Sequence, residues 1–106
     1  MKYPKEYLDE IKTRLKVSNV VSKTVNLKKR GKEFVGLSPF KTEKTPSFTV
    51  NDEKGFYHCF STSEHGNIFD FVMKTQNLKF GEAVKFLASL AGMQPYTFSK
   101  QDLARE

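Results

Sequence analysis

The stretch that decides the fold runs from residue 38 to residue 67 and reads SPFKTEKTPSFTVNDEKGFYHCFSTSEHGN. Two short apolar runs in it, 47–50 and 56–60, flank the turn-forming segment NDEKG. Short runs rich in β-branched and aromatic residues around a glycine-containing turn predict a β-hairpin. The polar segments 38–46 and 61–66 are predicted to be loops, since the two prolines of the first exclude regular structure there.

Helices and a second strand pair are predicted around this hairpin. Ser18 and Asn67 are suited to be N-caps, and Asp70 is an acid in the first turn after Asn67. Apolar periodicity and these caps predict helices over residues 4–15, 18–23, from Asn67 to about Gln76, and 80–91, with two short strands turning near Gly31 within 27–37. The expected fold class is therefore α+β, with a small antiparallel sheet flanked by amino- and carboxy-terminal helices.

The positive charge is concentrated in the first half of the chain. Residues 1–54 hold 13 Lys and Arg against seven Asp and Glu, which accounts for the whole net charge of +6. The remaining residues hold five of each sign. This asymmetry favours a polyanionic partner such as nucleic acid, although a basic face that only interacts with water has the same composition.

Cysteine content and hydropathy indicate the compartment. Cys59 is the only cysteine, so no internal disulfide can form. No run approaches the roughly 18 apolar residues of a membrane-spanning helix, and the first residues lack the apolar stretch of a signal peptide. We therefore expect a cytoplasmic protein with no membrane partner.

Two segments resemble the sequence signature of bacterial replicative primases. Residues 38–48, SPFKTEKTPSF, resemble the family motif C-P-F-H-x-E-K-T-P-S-F. Residues 56–67, FYHCFSTSEHGN, resemble F-Y-H-C-F-G-C-G-x-H-G-N, and residues 27–32 match the basic strand and turn that precede these motifs. The similarity extends from about Tyr7 to Gly92, and an ordered string of this length is far more specific than a short motif.

The resemblance implies a fold and a role. Residues 1–94 correspond to the amino-terminal, zinc-ribbon-type domain, which binds template DNA and helps an enzyme start short RNA primers for DNA replication. Residues 95–106 correspond to the start of a linker to the polymerase domain, where the nucleotidyl transfer occurs with Mg²⁺. The implied partners are the single-stranded DNA template, that polymerase domain and, as a further candidate, the replicative helicase. Asp70 and Glu82 are isolated helix residues, so no catalytic residue is expected in this chain.

The family's four zinc ligands have mostly been replaced in this sequence. Carried over by motif position, they fall on Ser38, Lys41, Cys59 and Thr62. A structural zinc site needs four donors, and a lysine ammonium has no lone pair to offer. A substitute set drawn from His58, Cys59, Glu64 and His65 is disfavoured, because neighbouring strand residues point to opposite faces. We therefore expect no metal and no other cofactor in this domain.

Something else must then hold the two loops together. The candidates are hydroxyl hydrogen bonds from Ser38, Ser61 and Thr62, and aromatic packing of Phe40, Phe48 and Phe60. Lys41 either pairs with Glu43 or Glu64, or its side chain is solvated.

Single-stranded nucleic acid is typically bound by a basic track combined with aromatic faces that stack on bases. The candidate contacts are Lys28, Lys29, Arg30, Lys32, Lys44, Tyr57, His58 and Phe60. In the predicted strand, Phe56, His58 and Phe60 share one face while Tyr57 and Cys59 share the other. The sequence does not decide which face is open, and each aromatic residue could instead fill the core.

Two functions of other classes stay open at this point. The domain could be a non-catalytic interaction module that contacts the polymerase domain or the helicase and binds little DNA itself. A stand-alone, metal-dependent nucleic-acid module is disfavoured by the missing ligands. Steeply salt-dependent binding of oligonucleotides would distinguish template binding from the interaction module.

Overall fold

The structure is a computed structural model that describes residues 3–96. In this part of the chain, two helices precede five strands and two more helices follow them. The elements are α1 (Lys5–Arg14), α2 (Val17–Val21), β1 (Lys28–Arg30), β2 (Glu33–Gly36), β3 (Phe48–Asn51), β4 (Phe56–Cys59), β5 (His65–Gly66), α3 (Ile68–Gln76) and α4 (Phe80–Leu90). The strands form one antiparallel sheet in chain order, β1 to β5. The predicted α+β class is confirmed.

Helix α3 begins as its sequence predicts. The Asn67 side chain accepts hydrogen bonds from the backbone N–H groups of Phe69 (2.9 Å) and Asp70 (3.1 Å). The Asp70 carboxylate in turn accepts from the Asn67 N–H at 2.9 Å. This reciprocal capping box satisfies donors that a helix start leaves without partners. It fixes α3 directly after β5, and so against the sheet.

The start of α2 was predicted wrongly. Ser18 lies inside the helix rather than at its N-cap, which is Lys16. The Ser18 N–H and hydroxyl both donate to the carboxylate of Asp52, at 2.8 Å and 2.6 Å. Because Asp52 lies in the β3–β4 turn, 34 positions away, a side chain from a distant segment supplies the acceptor that a local cap would have supplied.

The two hairpins follow the predicted turns, with one addition. Gly31 has φ +65°, as the first central residue of a two-residue hairpin turn requires. His65 and Gly66, predicted to lie in a loop, instead form β5 and pair with His58 and Tyr57 of β4. This short strand adds a fifth strand to the sheet, at the edge opposite β1.

The core lies between one face of the sheet and the helices. Phe48, Val50, Tyr57 and Cys59, which alternate along β3 and β4, are all fully buried. Their neighbours are apolar residues of α2, α3 and α4, together with Ile11 of α1. Among the described elements, the main helix–sheet contacts join α2 to β3 and α3 to β5. On the other face of the sheet, Thr49 and His58 are only half-buried.

The predicted linker at residues 95–106 falls almost entirely outside the described residues. Within residues 3–96, no helix is both long and apolar enough to cross a bilayer.

Candidate nucleic-acid interface and the loop end of the sheet

The strand register aligns one residue from each strand in a single row across the sheet. The row consists of Lys28, Val35, Thr49, His58 and His65. Directly opposed residues of antiparallel strands share a face. Because Thr49 and His58 alternate with the buried Val50 and Tyr57, the row lies on the face turned away from the core. We call this side of the sheet the open face.

Aromatic rings lie along the open face at β4 and β5. Phe56 is 47% exposed and Phe60, just beyond the strand, is 69% exposed. The His58 ring lies between neighbours, with its centroid 4.4 Å from that of Phe60 and 6.0 Å from that of His65. Large apolar rings exposed as a group offer stacking surfaces for planar ligands.

Tyr57 must be removed from the predicted nucleic-acid contacts. Its ring is fully buried and stacks on Phe48, with centroids 5.3 Å apart, while Phe71 contacts it edge-on. A buried ring presents no face to a base. Burial also raises the pKa of its hydroxyl above the ordinary value.

The predicted basic cluster divides between the two sides of the sheet. Lys28 and Arg30 share a face of β1, and Lys28 belongs to the row on the open face. Lys29 points the opposite way, with its ammonium 5.7 Å from the centre of the Phe34 ring. Lys32 is exposed in the β1–β2 turn. Only part of the cluster can therefore act together with the exposed aromatic rings.

The loops 38–46 and 61–64 meet around Cys59 at one end of the sheet, which we call the loop end. Its Sγ lies 3.2 Å from the hydroxyl of Ser38 and 3.3 Å from that of Ser61. Both Cys59 and Ser38 are buried. Cys59 is the last residue of β4, and its thiol links Ser38 of the first loop to Ser61 of the second. The predicted use of hydroxyl bonds from Ser38 and Ser61 to join the loops is thus confirmed.

The Glu43 carboxylate is a second centre of hydrogen bonds, which we call the Glu43 hub, and it was not predicted from the sequence. Its carboxylate accepts the Ser38 N–H (2.9 Å), the Ser47 N–H (3.2 Å) and the Ser47 hydroxyl (2.7 Å). Ser47 Oγ lies 2.8 Å from Ser61 Oγ, which connects the hub to the second loop. The Ser47 hydroxyl and the Ser38 N–H hold the pKa of Glu43 below its usual value.

The hydroxyl groups also change the acidity of Cys59. Burial raises the pKa of the thiol, but hydrogen bonds from Ser38, Ser61 and Thr62 outweigh that effect and lower the pKa from 9.0 to about 6. Hydroxyl donors favour the thiolate because its negative charge makes it the stronger acceptor. Thr62, the third hydroxyl proposed from the sequence, therefore contributes to the same cluster.

Aromatic packing at the loop end agrees only in part with the prediction. Phe40 contacts Phe48 and Tyr57, each with a centroid distance of 6.0 Å. Phe60 does not join this packing, because its ring lies on the exposed side next to His58.

The suggested ion pair of Lys41 does not form among the described residues. Glu43 is occupied by Ser38 and Ser47, and Glu64 pairs with Lys74 on α3. Lys41 is exposed, which matches the alternative of a solvated side chain.

The donors present at the loop end do not fit a zinc ion. Three of the four positions hold two hydroxyls and an ammonium, which are poor zinc ligands or none. Within residues 3–96, no group of three or more His, Cys, Asp or Glu side chains is arranged to hold a metal.

The two isolated helix acids, Asp70 and Glu82, accept backbone N–H groups at the starts of α3 and α4.

Comparison with known proteins identifies the family. The family model for the CHC2 zinc finger matches residues 3–102. This chain belongs to the CHC2 zinc finger family. It has, however, replaced most of the zinc ligands after which the family is named.

The similar proteins are DNA primases. The chain is 43% identical over 94 residues to the DNA primase of Haemophilus influenzae, 47% over 91 residues to that of Pseudomonas putida and 43% over 91 residues to that of Escherichia coli K12. These matches cover 88%, 86% and 86% of the chain. They span only 14–16% of the length of the primases.

A solved structure agrees with the fold. The crystal structure of the Aquifex aeolicus primase, comprising its zinc-binding and RNA polymerase domains, matches with a TM-score of 0.79 at 28% identity. The match covers 91% of this chain and 24% of the Aquifex chain. This CHC2 domain therefore retains the fold of a zinc-binding relative, although its own donors do not suit the metal.

Proposed function

We propose that this CHC2 domain binds single-stranded template DNA across the open face of its sheet. The observation that carries the proposal is the row from Lys28 to His65, flanked by the exposed rings of Phe56 and Phe60. It combines a cation that can contact phosphate with rings that can stack on bases. That combination is how proteins bind single strands without sequence-specific hydrogen bonds.

The dimensions of the open face suit a short oligonucleotide. Neighbouring strands lie about 4.8 Å apart, so a row crossing five strands extends for about 19 Å. Basic residues lie towards the β1 edge of this row, and histidine and phenylalanine lie towards the β5 edge. A strand of DNA lying along the row would place phosphates near Lys28 and Arg30, and bases near His58 and Phe60.

We further propose that the domain folds and binds DNA without zinc. The hydroxyl cluster at Cys59 and the Glu43 hub connect the loops that the metal would otherwise join. Each hydrogen bond contributes only about 1 kcal/mol, so the stabilisation is spread over several bonds and the aromatic packing.

In the parent enzyme, we propose that this binding helps to position the template for primer initiation. The nucleotidyl transfer and its Mg²⁺ ions would belong to the polymerase domain, in the same way as the Aquifex structure combines zinc-binding and RNA polymerase domains. Contact with the polymerase domain, and with a replicative helicase, is part of the same proposal.

Salt-dependent binding tests the DNA contact. The double variant Lys28→Ala/Arg30→Ala removes two cations from one side of β1. The control Lys23→Ala/Lys29→Ala removes the same charge, but Lys29 faces the other side. Each phosphate contact contributes about −0.7 to the slope of log K against log salt, so the first variant should flatten the slope by about 1.4.

The result decides between two functions. A smaller change in the control supports binding on the open face. Equal effects of the two variants would show non-directional attraction, and the absence of binding by the parent chain would favour the protein-interaction module. A priming assay with the full enzyme lacking this domain, and with the domain added back, tests initiation. Undiminished initiation without the domain would contradict the proposed role.

A further inference from the structure

A groove of about 640 Å³ opens beside β1 and β2. Its walls come from the chain before β1, from the first residue of β1, from β2 and from the loop that follows β2. The lining includes Thr24, Asn26, Lys28, Val35, Leu37 and Lys44. Its volume is within the range of pockets that hold small organic ligands.

The wall between the groove and the core is tightly packed. Gly36 is buried, and a Cβ at this position would lie 2.8 Å from the Asn26 carbonyl oxygen and 2.9 Å from Cγ1 of Val25. Only glycine permits β2 to approach the preceding segment so closely. The groove is therefore a formed feature of the fold.

The lining has two chemical parts. Val35 and Leu37 supply an apolar surface, and Leu37 is 47% exposed although it is a large apolar residue. Lys28 and Lys44 supply two cations, and no acid is found among the described residues that line the groove. Thr24 and Asn26 are exposed at the rim and make no side-chain hydrogen bond within residues 3–96.

We propose that this groove binds one unstacked nucleotide of the single-stranded DNA. The apolar surface takes the flat base, Lys28 and Lys44 contact the flanking phosphates, and Thr24 and Asn26 offer hydrogen bonds to the base edge. This inference rests on the proposed function and adds to it a subsite at which one base is held apart from its neighbours.

Continuity and charge favour DNA over a peptide as the occupant. Lys28 and Val35 line the groove and also form the β1 end of the row on the open face. A strand that crosses the sheet along the row therefore reaches the groove without leaving the protein surface. Two lysines without an acid suit a polyanion, whereas a peptide backbone has no charge to pair with them.

Blocking the groove tests the proposal. Thr24→Trp places a bulky ring at the rim, and Asn26→Trp does so at a second exposed rim position. Thr45→Trp is the matched control, since Thr45 is exposed in the same loop as Lys44 but does not line the groove. Affinity for a 12-nucleotide single-stranded DNA is measured by fluorescence anisotropy, with thermal melting to confirm that each variant is folded.

Both groove variants should bind the DNA about tenfold more weakly, as expected when one base contact is lost, while the control stays within about twofold. In the parent chain, the DNA should shift the backbone amide resonances of Val25, Gly36 and Leu37. Parent-like affinity of both groove variants, with weaker binding by Lys28→Ala/Arg30→Ala, would overturn the groove proposal and leave the proposed function intact. Absence of DNA binding by the parent chain would overturn both.

Discussion

The loop end of the sheet and its open face differ in how far they depart from the family motifs. At the loop end, Ser38, Lys41 and Thr62 stand where the motif has zinc ligands. In the strands that supply the open face, the F-Y-H-C-F segment and the basic segment before it both match the motif. Substitutions at the motif's ligand positions thus lie at the loop end, while the adjacent strands match the motif. We infer that metal binding and the candidate DNA surface are separable.

A single strand shows why the two regions can change independently. In β4, Tyr57 and Cys59 point into the core and the loop end, while Phe56 and His58 point to the open face. Because strand residues alternate, a substitution at an inward position alters packing without altering the outward row.

Restoring the zinc ligands should have the largest effect on stability. Ser38→Cys, Lys41→His and Thr62→Cys, combined with Cys59, recreate the family's ligand set. Two sulfurs bound to one zinc at 2.3 Å lie about 3.8 Å apart, and Ser38 Oγ is already 3.2 Å from Cys59 Sγ. We expect the variant to bind one zinc and to melt about 10 °C higher or more, with unchanged DNA affinity.

The control for this prediction is Ser38→Cys/Thr62→Cys, which lacks the histidine and leaves the coordination shell incomplete. Competition against a chromogenic chelator measures the zinc affinity. If the triple variant binds zinc no more tightly than the parent chain, the loops have moved the four ligand positions apart. The loop end would then differ from that of zinc-binding relatives in geometry as well as in its ligands.

Opposite faces of β4 should respond differently to truncation of an aromatic ring. Tyr57→Ala removes a fully buried ring and should cost about 3–5 kcal/mol of unfolding free energy. Phe60→Ala removes a ring that is 69% exposed, so it should change stability by less than about 0.5 kcal/mol but weaken DNA binding by about 5- to 100-fold. Denaturant unfolding and anisotropy measure the two effects.

An exposed phenylalanine outside the sheet provides the control for DNA binding. Phe80 on α4 is 42% exposed, and Phe80→Ala should leave DNA affinity unchanged. A loss of affinity equal to that of Phe60→Ala would mean that general apolar surface, rather than the open face, binds the DNA.

Much of this division could be anticipated from the sequence. The capping residues Asn67 and Asp70, the turn at Gly31 and the alternation along β4 are local signals, and the structure follows them. Which face of β4 is open could not be decided locally, because it depends on where α2 and α3 pack. Phe60 and Tyr57 were therefore both candidates until the helices were placed.

Two of the features that were missed involve distant partners. Asp52 accepts from Ser18, 34 positions away, and the Ser47 hydroxyl, which bonds to nearby Glu43, also lies against the hydroxyl of Ser61, 14 positions away. The polar, proline-containing segment around Glu43 predicts a loop but not its internal hydrogen bonds. The opposite directions of Lys28 and Lys29 follow from strand alternation, once the strand is taken to begin at Lys28.

The acidity of Cys59 predicts a pH-dependent effect on stability at the loop end. The folded chain has a pKa of about 6 at this thiol, below the ordinary 9.0, so the unfolded chain binds more protons between these values. Unfolding free energy should therefore rise from pH 6 to pH 9, by at most about 1.4 kcal/mol per pH unit, and this contribution should be lost as the pH falls through about 6.

Cys59→Ser lacks the thiol and serves as the reference for other titrating groups. Denaturant unfolding across this pH range, with thiolate absorbance recorded in parallel, measures the difference. Identical pH profiles for the parent chain and Cys59→Ser would show that the hydroxyl groups do not stabilise the thiolate.

The most direct test asks whether DNA binding by the open face depends on zinc. DNA affinity and melting temperature are measured on the same purified protein before and after chelator treatment. Elemental analysis gives the zinc content. We predict no stoichiometric zinc, an unchanged melting temperature and unchanged affinity for the 12-nucleotide DNA. Near-stoichiometric zinc whose removal unfolds the domain and abolishes DNA binding would contradict this prediction.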